Sequence, residues 1–434
     1  MSGSVIGFAG MTHLGINSAA AAAARGFDIV CFDPDPATIA PLKVGDLPVV
    51  EPGLPELLAQ HAGRIRYSAD RRDLARCDVV YVAADVPTDD EGGSELAGIR
   101  ALIDAVAAAL APSAILVILC QVPPGFTRSI PFDRERLYYQ VETLIFGRAV
   151  ERAMHPERTI VGCADPARAL PAHLDGFLSA FGCPVLPMRY ESAELAKISI
   201  NCCLVASVTV ANTLAELSER IGADWSEIAP ALKLDRRIGR DAYLAPGLGL
   251  AGGNLERDLA TVLRLSEATG AECGLVQAFV RGSRHRRHWV LRTLHAEVLA
   301  HKPDAVIAVL GLAYKENTHS TKNSPSLALI AHLAPWRLRV FDPVVPATAV
   351  SHPNCTGCAS ALDAATSADV IAIMTPWPAF RELSAAELAA RLAGKAVVDP
   401  YRVLDGAAVA RAGLDYFTLG MPPLRGARGQ YTHA

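Results

Sequence analysis

The sequence predicts an α/β protein in which two doubly wound, Rossmann-like domains are joined by a central helical domain. Three observations carry this expectation. Up to about residue 188, short β-branched runs alternate with alanine-rich helical stretches, the pattern of a parallel sheet covered on both faces. From Ser192 to Ile221 the chain then passes without glycine or proline, as one long helix would. Beyond Pro303 the α/β rhythm returns.

Taken in order, "SVIGFA" reads as the first strand, followed by a glycine turn and the helix "INSAAAAAARG". The strands "DIVCFD", "CDVVYVAAD" and "AILVILCQV" follow, with the helix "IRALIDAVAAALA" before the last of these, and "RTIVGCA" and "CPVLPM" complete the first domain. The long helix takes Ser192 as its cap, and a second helical stretch runs from Glu272 to about Leu299. Between them lies "PGLGLAGGNLERDL", where Gly247, Gly249, Gly252 and Gly253 give way to Asn254, Glu256, Arg257 and Asp258. Such a loop bends sharply or lies close against something else. In the last third, "AVIAVLGLAY", "LRVFDP", "ADVIAIMTPW" and "KAVVDP" predict a smaller second sheet. The expected domains are therefore residues 1–188, 189–298 and 299–434, with a loose tail from Pro422.

Bulk properties narrow the class. A chain of 434 residues exceeds one ordinary core, and 51% hydrophobic against 20% charged residues is a globular composition. The net charge of −4 gives no reason to expect nucleic acid or an anionic membrane. Ten scattered cysteines form no framework, and the start of the chain lacks a signal-peptide pattern, so reduced thiols and a cytoplasmic location are expected. The single CxxC, Cys355 to Cys358, has no second pair and is read as a loop, so no metal site is expected. The basic run Arg284 to His288 is read as a solvated helix face or an interface.

The turn after the first strand, Gly10-Met11-Thr12-His13-Leu14-Gly15, is a GxGxxG fingerprint with Thr12 in place of the second glycine. Asp33 ends the next strand, where a carboxylate accepts both ribose hydroxyls of NAD and repels the 2′-phosphate of NADP. NAD is the expected cofactor. On the long helix, Lys197 and Asn201 lie one turn apart on a face shared with Glu194, Leu204 and Val208. A lysine and an asparagine so placed can hold a hydroxyl and stabilise a developing alkoxide.

The ordered motifs "AELAKISIN", "RRIG", "APGLGLAGGNLERD", "VLGLAYKENTHSTKNSPSLALI", "VFDP" and "TPWPAF" span most of the chain. Together they resemble the UDP-glucose/GDP-mannose dehydrogenase family, NAD-dependent enzymes that oxidise the C6 alcohol of a nucleotide sugar. The resemblance implies an NAD domain, a helical centre that forms a homodimer, and a sugar-nucleotide domain. It gives Lys197 and Asn201 the reacting hydroxyl, Glu142 the acid/base role of the hydrolytic step, and Asp258 a place beside the lysine with an ordered water. By the same resemblance Arg237 reaches a substrate across the dimer, while Tyr243, Gly249 and Lys315 touch the substrate. Lys322 stands where an arginine contacts the cofactor.

This sequence also departs from the family's pattern. Asn254 occupies the position of the family's nucleophilic cysteine, and an amide with a delocalised lone pair is no nucleophile. Gln121 replaces a threonine, and the segment Thr127 to Glu142 is shorter than in the family. Cys120, Cys202 and Cys203 are considered as substitute thiols and read as packing. The expected function is an NAD-dependent nucleotide-sugar oxidoreductase, with a UDP-hexose as the default substrate. The alternatives are an enzyme that stops after two electrons or acts as an epimerase, and a non-catalytic binder.

Overall fold

A computed structural model describes residues 3–87, 89, 93–251 and 254–426. Its backbone divides into two compact units, Met1–Ile200 and Asn201–Ala434.

The first unit is built on eight strands: β1 (Val5–Ala9), β2 (Asp28–Phe32), β3 (Ile65–Ser68), β4 (Val79–Val82), β5 (Ile115–Ile118), β6 (Leu137–Gln140), β7 (Thr159–Cys163) and β8 (Val185–Arg189). They lie in the order β3-β2-β1-β4-β5-β6-β7-β8. In β1, Gly7 pairs with Val30 on one side and Val80 on the other. The order reverses between β1 and β4, and such reversals leave a crevice at the carboxyl ends of the strands. The helix His13–Ala24 crosses one face, and Ala19 to Ala23 are all buried there. Small side chains let that helix lie close to the sheet, which explains the alanine run without any membrane role.

Two features of this sheet differ from the expected pattern. β7 runs antiparallel to β6 and parallel to β8, so the sheet is mixed. Furthermore, β3 and β6 had no counterpart among the expected strands. β3 is an edge strand carrying Arg66 and Tyr67, and β6 lies in the segment read as merely shortened. Neither is the long apolar run that marks a central strand.

The second unit holds a fully parallel six-stranded sheet: β9 (Val306–Leu310), β10 (Arg337–Phe341), β11 (Cys355–Gly357), β12 (Val370–Ile373), β13 (Ala396–Val398) and β14 (Asp415–Phe417). Its order, β11-β10-β9-β12-β13-β14, repeats the arrangement of the first six strands of the other sheet. Every residue of β12 and β13 is buried, as helices on both faces require. β11 and β14 are three-residue strands too short to read from periodicity, and the loop expected at Cys355 is in fact strand β11.

The long helix runs from Tyr190 to Ile221, beginning two residues before Ser192 because the chain passes directly from β8 into it. Two further helices, Trp225–Leu234 and Asn254–Thr269, lie in what reads as loop. The first is capped by Asp224, which accepts from the Ser226 amide at 2.8 Å. The stretch from Glu272 is broken in practice: Gly274–Arg287, then Trp289–Leu294, then a π-helical turn at His295–Leu299.

The tail beginning at Pro422 is not loose where it is described. Leu424 exchanges backbone hydrogen bonds with Tyr416, and Arg425 pairs with Glu297 at 2.8 Å. The rest of that expected tail, residues 427–434, lies outside the described residues, as do Gly252 and Gly253 of the glycine-rich loop.

Candidate active site

In the first unit, the turn between β1 and its helix fits a dinucleotide. Gly15 faces the carbonyl of Gly10 so closely that a Cβ there would come within 1.9 Å of that oxygen. The helix start therefore packs on the turn as only glycine allows. Asp33 follows β2 directly, its Oδ2 accepting from the Met11 amide at 2.9 Å and its Oδ1 from the Asp35 amide at 3.0 Å. These contacts hold its carboxylate against the turn. Thr12 holds no cap bond on its own helix; its Oγ1 accepts from the Asp85 amide at 2.9 Å.

Lys197 and Glu142 meet in the same unit as an ion pair of 2.8 Å with both side chains close to fully buried. The Leu144 amide donates to Glu142 Oε2 at 2.9 Å and fixes the carboxylate. Glu51 carries no signal in the sequence, yet it anchors this loop. Its carboxylate accepts from the amides of Gly147 (3.0 Å) and Ala149 (2.7 Å) and meets His13 Nε2 at 2.9 Å. An isolated glutamate in an irregular stretch carries no periodic signal that would single it out. Glu194, read as part of the reacting face, is instead structural. It accepts from the Gly125 (2.6 Å) and Thr127 (2.8 Å) amides, and burial raises its pKa above the usual glutamate value.

In the second unit, Asn201 donates through Nδ2 to Asp258 Oδ2 at 2.5 Å, with both residues buried. Arg257 Nε stands 3.6 Å from the other oxygen of Asp258. Asn254 is the first residue of the helix Asn254–Thr269 and is exposed, so Asp258 lies one turn further along. Glu256 ties neighbouring segments together: it pairs with Arg287 at 2.7 Å and accepts from Asn323. Arg287 also donates to the Leu250 carbonyl at 2.8 Å. The basic run is divided: Arg284 and His285 are exposed, His285 meeting Glu216 at 2.9 Å, while Arg286 is buried against Glu219 at 2.5 Å.

Gly249 has φ +78°, and a Cβ on it would strike the Ser283 carbonyl at 2.5 Å, so the glycine-rich loop bends against the helix Gly274–Arg287. The Gly247 amide is held by Asn212 at 2.8 Å. Lys315 lies with its Nζ 5.7 Å from the Tyr314 ring centre, and Lys322 is exposed. Arg237 and Tyr243 are exposed and half-exposed, the guanidinium of Arg237 resting on Asp235 at 2.6 Å.

Two of the three candidate thiols, Cys120 and Cys202, are not poised for attack. Cys120 is fully buried, donates to the Val82 carbonyl at 3.3 Å, and has its pKa pushed up to about 12 by burial. Burial, with Asp258 nearby, also raises the pKa of Cys202. Thiolate is the reactive form, so both are inert near neutral pH. Cys203 is exposed on the long helix. Cys120→Ser is expected to leave the NADH formed per sugar unchanged and to cost about 1 kcal/mol of stability as a hydroxyl enters an apolar site. Product analysis beside a thermal melt checks both.

Fold and turn together define a dinucleotide-binding α/β protein. The chain belongs to the UDP-glucose/GDP-mannose dehydrogenase family. It matches that family's NAD-binding domain over residues 4–175, its central domain over 191–282 and its UDP-binding domain over 308–406. NAD is its cofactor. The UDP-glucose 6-dehydrogenase TuaD of Bacillus subtilis is 27% identical over 433 residues, covering 96% of this chain and 93% of its own. The UDP-glucose 6-dehydrogenase of Rhizobium meliloti is 28% identical over 431 residues, with 95% and 98% covered. A solved UDP-glucose dehydrogenase from Pyrobaculum islandicum superposes with a TM-score of 0.83 at 26% identity, covering 96% of this chain and 97% of that one.

Proposed function

We propose that this chain oxidises the C6 alcohol of a UDP-hexose, with NAD taking the hydride. The observation that carries the reading is the pair of buried contacts, Lys197 with Glu142 and Asn201 with Asp258. A binder that does no chemistry has little use for this set of proton-handling groups. The UDP-binding domain and the names of the relatives support the nucleotide.

In this reading Asp258 fixes the Asn201 amide, whose Oδ1 accepts from the reacting hydroxyl. The Lys197 ammonium stabilises the alkoxide as it develops, and Glu142 receives the proton. Gly10, Thr12, Gly15, Asp33 and Lys322 serve the cofactor, and Arg237, Tyr243, Gly249 and Lys315 serve the substrate. Asn254 takes no covalent part. The chain divides functionally at residues 188 and 298. The test is incubation with NAD and a panel of UDP-, GDP-, ADP- and CDP-hexoses. NADH released with the UDP-sugar and not the others supports the reading; no NADH with any of them overturns it.

The partner is a second copy of the chain, joined through the long helices. Val210, Leu214, Leu217 and Ile221 are all exposed apolar residues at helical spacing on one stripe. A stripe of this kind on a soluble domain marks an association face. Leu214→Glu combined with Leu217→Glu is expected to give monomers in sedimentation velocity; dimers of unchanged stability would remove the helix from the interface. By length and composition this helix is apolar enough to cross a bilayer. Its buried polar residues Glu194, Lys197, Asn201 and Asn212 nonetheless find protein partners, which favours a soluble, cytoplasmic enzyme.

A further inference from the structure

We propose that Asp85 is a built-in competitor for the pyrophosphate of NAD, held in place by Thr12. The inference rests on the assignment of NAD to the first unit. The segment that follows β4 folds back on the dinucleotide turn. There, the Ala83 amide donates to the Ala9 carbonyl at 2.8 Å, and Ala84 packs so tightly on Gly10 that a Cβ on that glycine would meet it at 2.6 Å. Thr12 Oγ1 then accepts from the Asp85 amide at 2.9 Å and reaches the Ala83 carbonyl at 3.5 Å. The result is that the Asp85 carboxylate faces the helix His13–Ala24 and accepts from the Leu14 amide at 3.4 Å.

Leu14 is the second residue of that helix, which has no acidic residue of its own in its first turn. In a turn of this kind the first-turn amides and the positive end of the helix hold the pyrophosphate. Asp85 brings a full negative charge to the same donors from the neighbouring strand. The two unusual features of the turn therefore form one device. Where a glycine would leave the turn open to the pyrophosphate, Thr12 supplies the hydroxyl that pins the Asp85 backbone. Because Asp85 is exposed, its side chain can rotate away when a stronger anion arrives. The other carboxylates at the turn are committed: Asp33 to the Met11 and Asp35 amides, and Glu51 to His13, Gly147 and Ala149. Cofactor binding must therefore displace a charge that the protein itself supplies, and affinity is set below what the turn would otherwise give.

The experiment is isothermal titration of the full chain and of Asp85→Asn with NAD, ADP-ribose and adenosine. Asparagine keeps the size and the backbone bond to Thr12 and removes the charge. Affinity for NAD and for ADP-ribose is expected to rise about tenfold, the scale of one close charge contact in a partly screened site, while adenosine, which lacks the pyrophosphate, is unaffected. Thr12→Val, which keeps the shape and removes the hydroxyl, is expected to move NAD affinity in the same direction by a smaller factor. Unchanged or weaker NAD binding by Asp85→Asn overturns the competitor role alone. If neither protein binds NAD, the cofactor assignment falls, and the proposal with it. A melting temperature for each variant confirms that it is folded.

Discussion

Lys197→Met is expected to lower the rate of NADH formation by roughly 10³-fold, the cost of removing one donor aimed at a developing oxyanion. The same change strands Glu142, whose carboxylate is paired with Lys197 at 2.8 Å where both side chains are nearly out of solvent. Leaving one member of such a pair behind costs about 3–5 kcal/mol. A loss of activity in the single variant would therefore be ambiguous. The double variant Lys197→Met with Glu142→Gln resolves this, because a neutral amide needs no counter-charge. It is expected to recover most of the lost thermal stability and none of the lost rate. Single-turnover NADH formation and a thermal melt on all three proteins make the comparison. Recovery of rate together with stability would reduce the pair to a structural strut, and undiminished turnover in the single variant would remove Lys197 from the reaction.

The parts legible in the sequence were those where one local rule decides the outcome. Buried parallel strands have to be continuous apolar runs, so β1, β2, β4 and β5 announced themselves. Gly10, Gly15 and Asp33 stood out because a tight turn and a strand end constrain residue type at fixed spacing. What stayed hidden depends on partners distant in the chain. β6 and the reversal at β7 are set by neighbouring strands, not by their own short sequences. The charges of Arg286 and Arg287 look like surface until Glu219 and Glu256 are brought against them. Asp85 looked like the end of a strand, and only the fold puts its carboxylate at a helix start. The helix beginning at Asn254 is hidden in the sequence because the glycine-rich stretch before it reads as loop.

That last boundary governs the second large effect. Asn254 stands at the first position of a sixteen-residue helix, exposed, one turn before the buried Asp258. A thiol at a helix N-terminus has its pKa lowered, because the positive end of the helix stabilises the thiolate. Asn254→Cys is therefore expected to create a reactive thiolate. With substrate and NAD, that thiolate would add to the aldehyde left by the first oxidation, giving a thiohemiacetal. Transfer of its hydride to a second NAD gives a thioester, and water releases the acid and the thiol. Denaturing mass spectrometry should find the acyl adduct on the variant and none on the natural chain. Alkylating reagents should silence acid formation in the variant while leaving the natural chain's turnover intact. The rate of acid formation should rise by about 10²-fold, equivalent to about 2.7 kcal/mol off the barrier. The natural chain, with an amide at that position, has to reach any acid through the hydrated aldehyde, with Lys197 and Glu142 handling the protons of the gem-diol. A folded variant that forms no adduct and gives the same products would show that position 254 does not meet the reacting carbon. In that case the loss of the cysteine would reflect a displaced loop, not a changed chemistry.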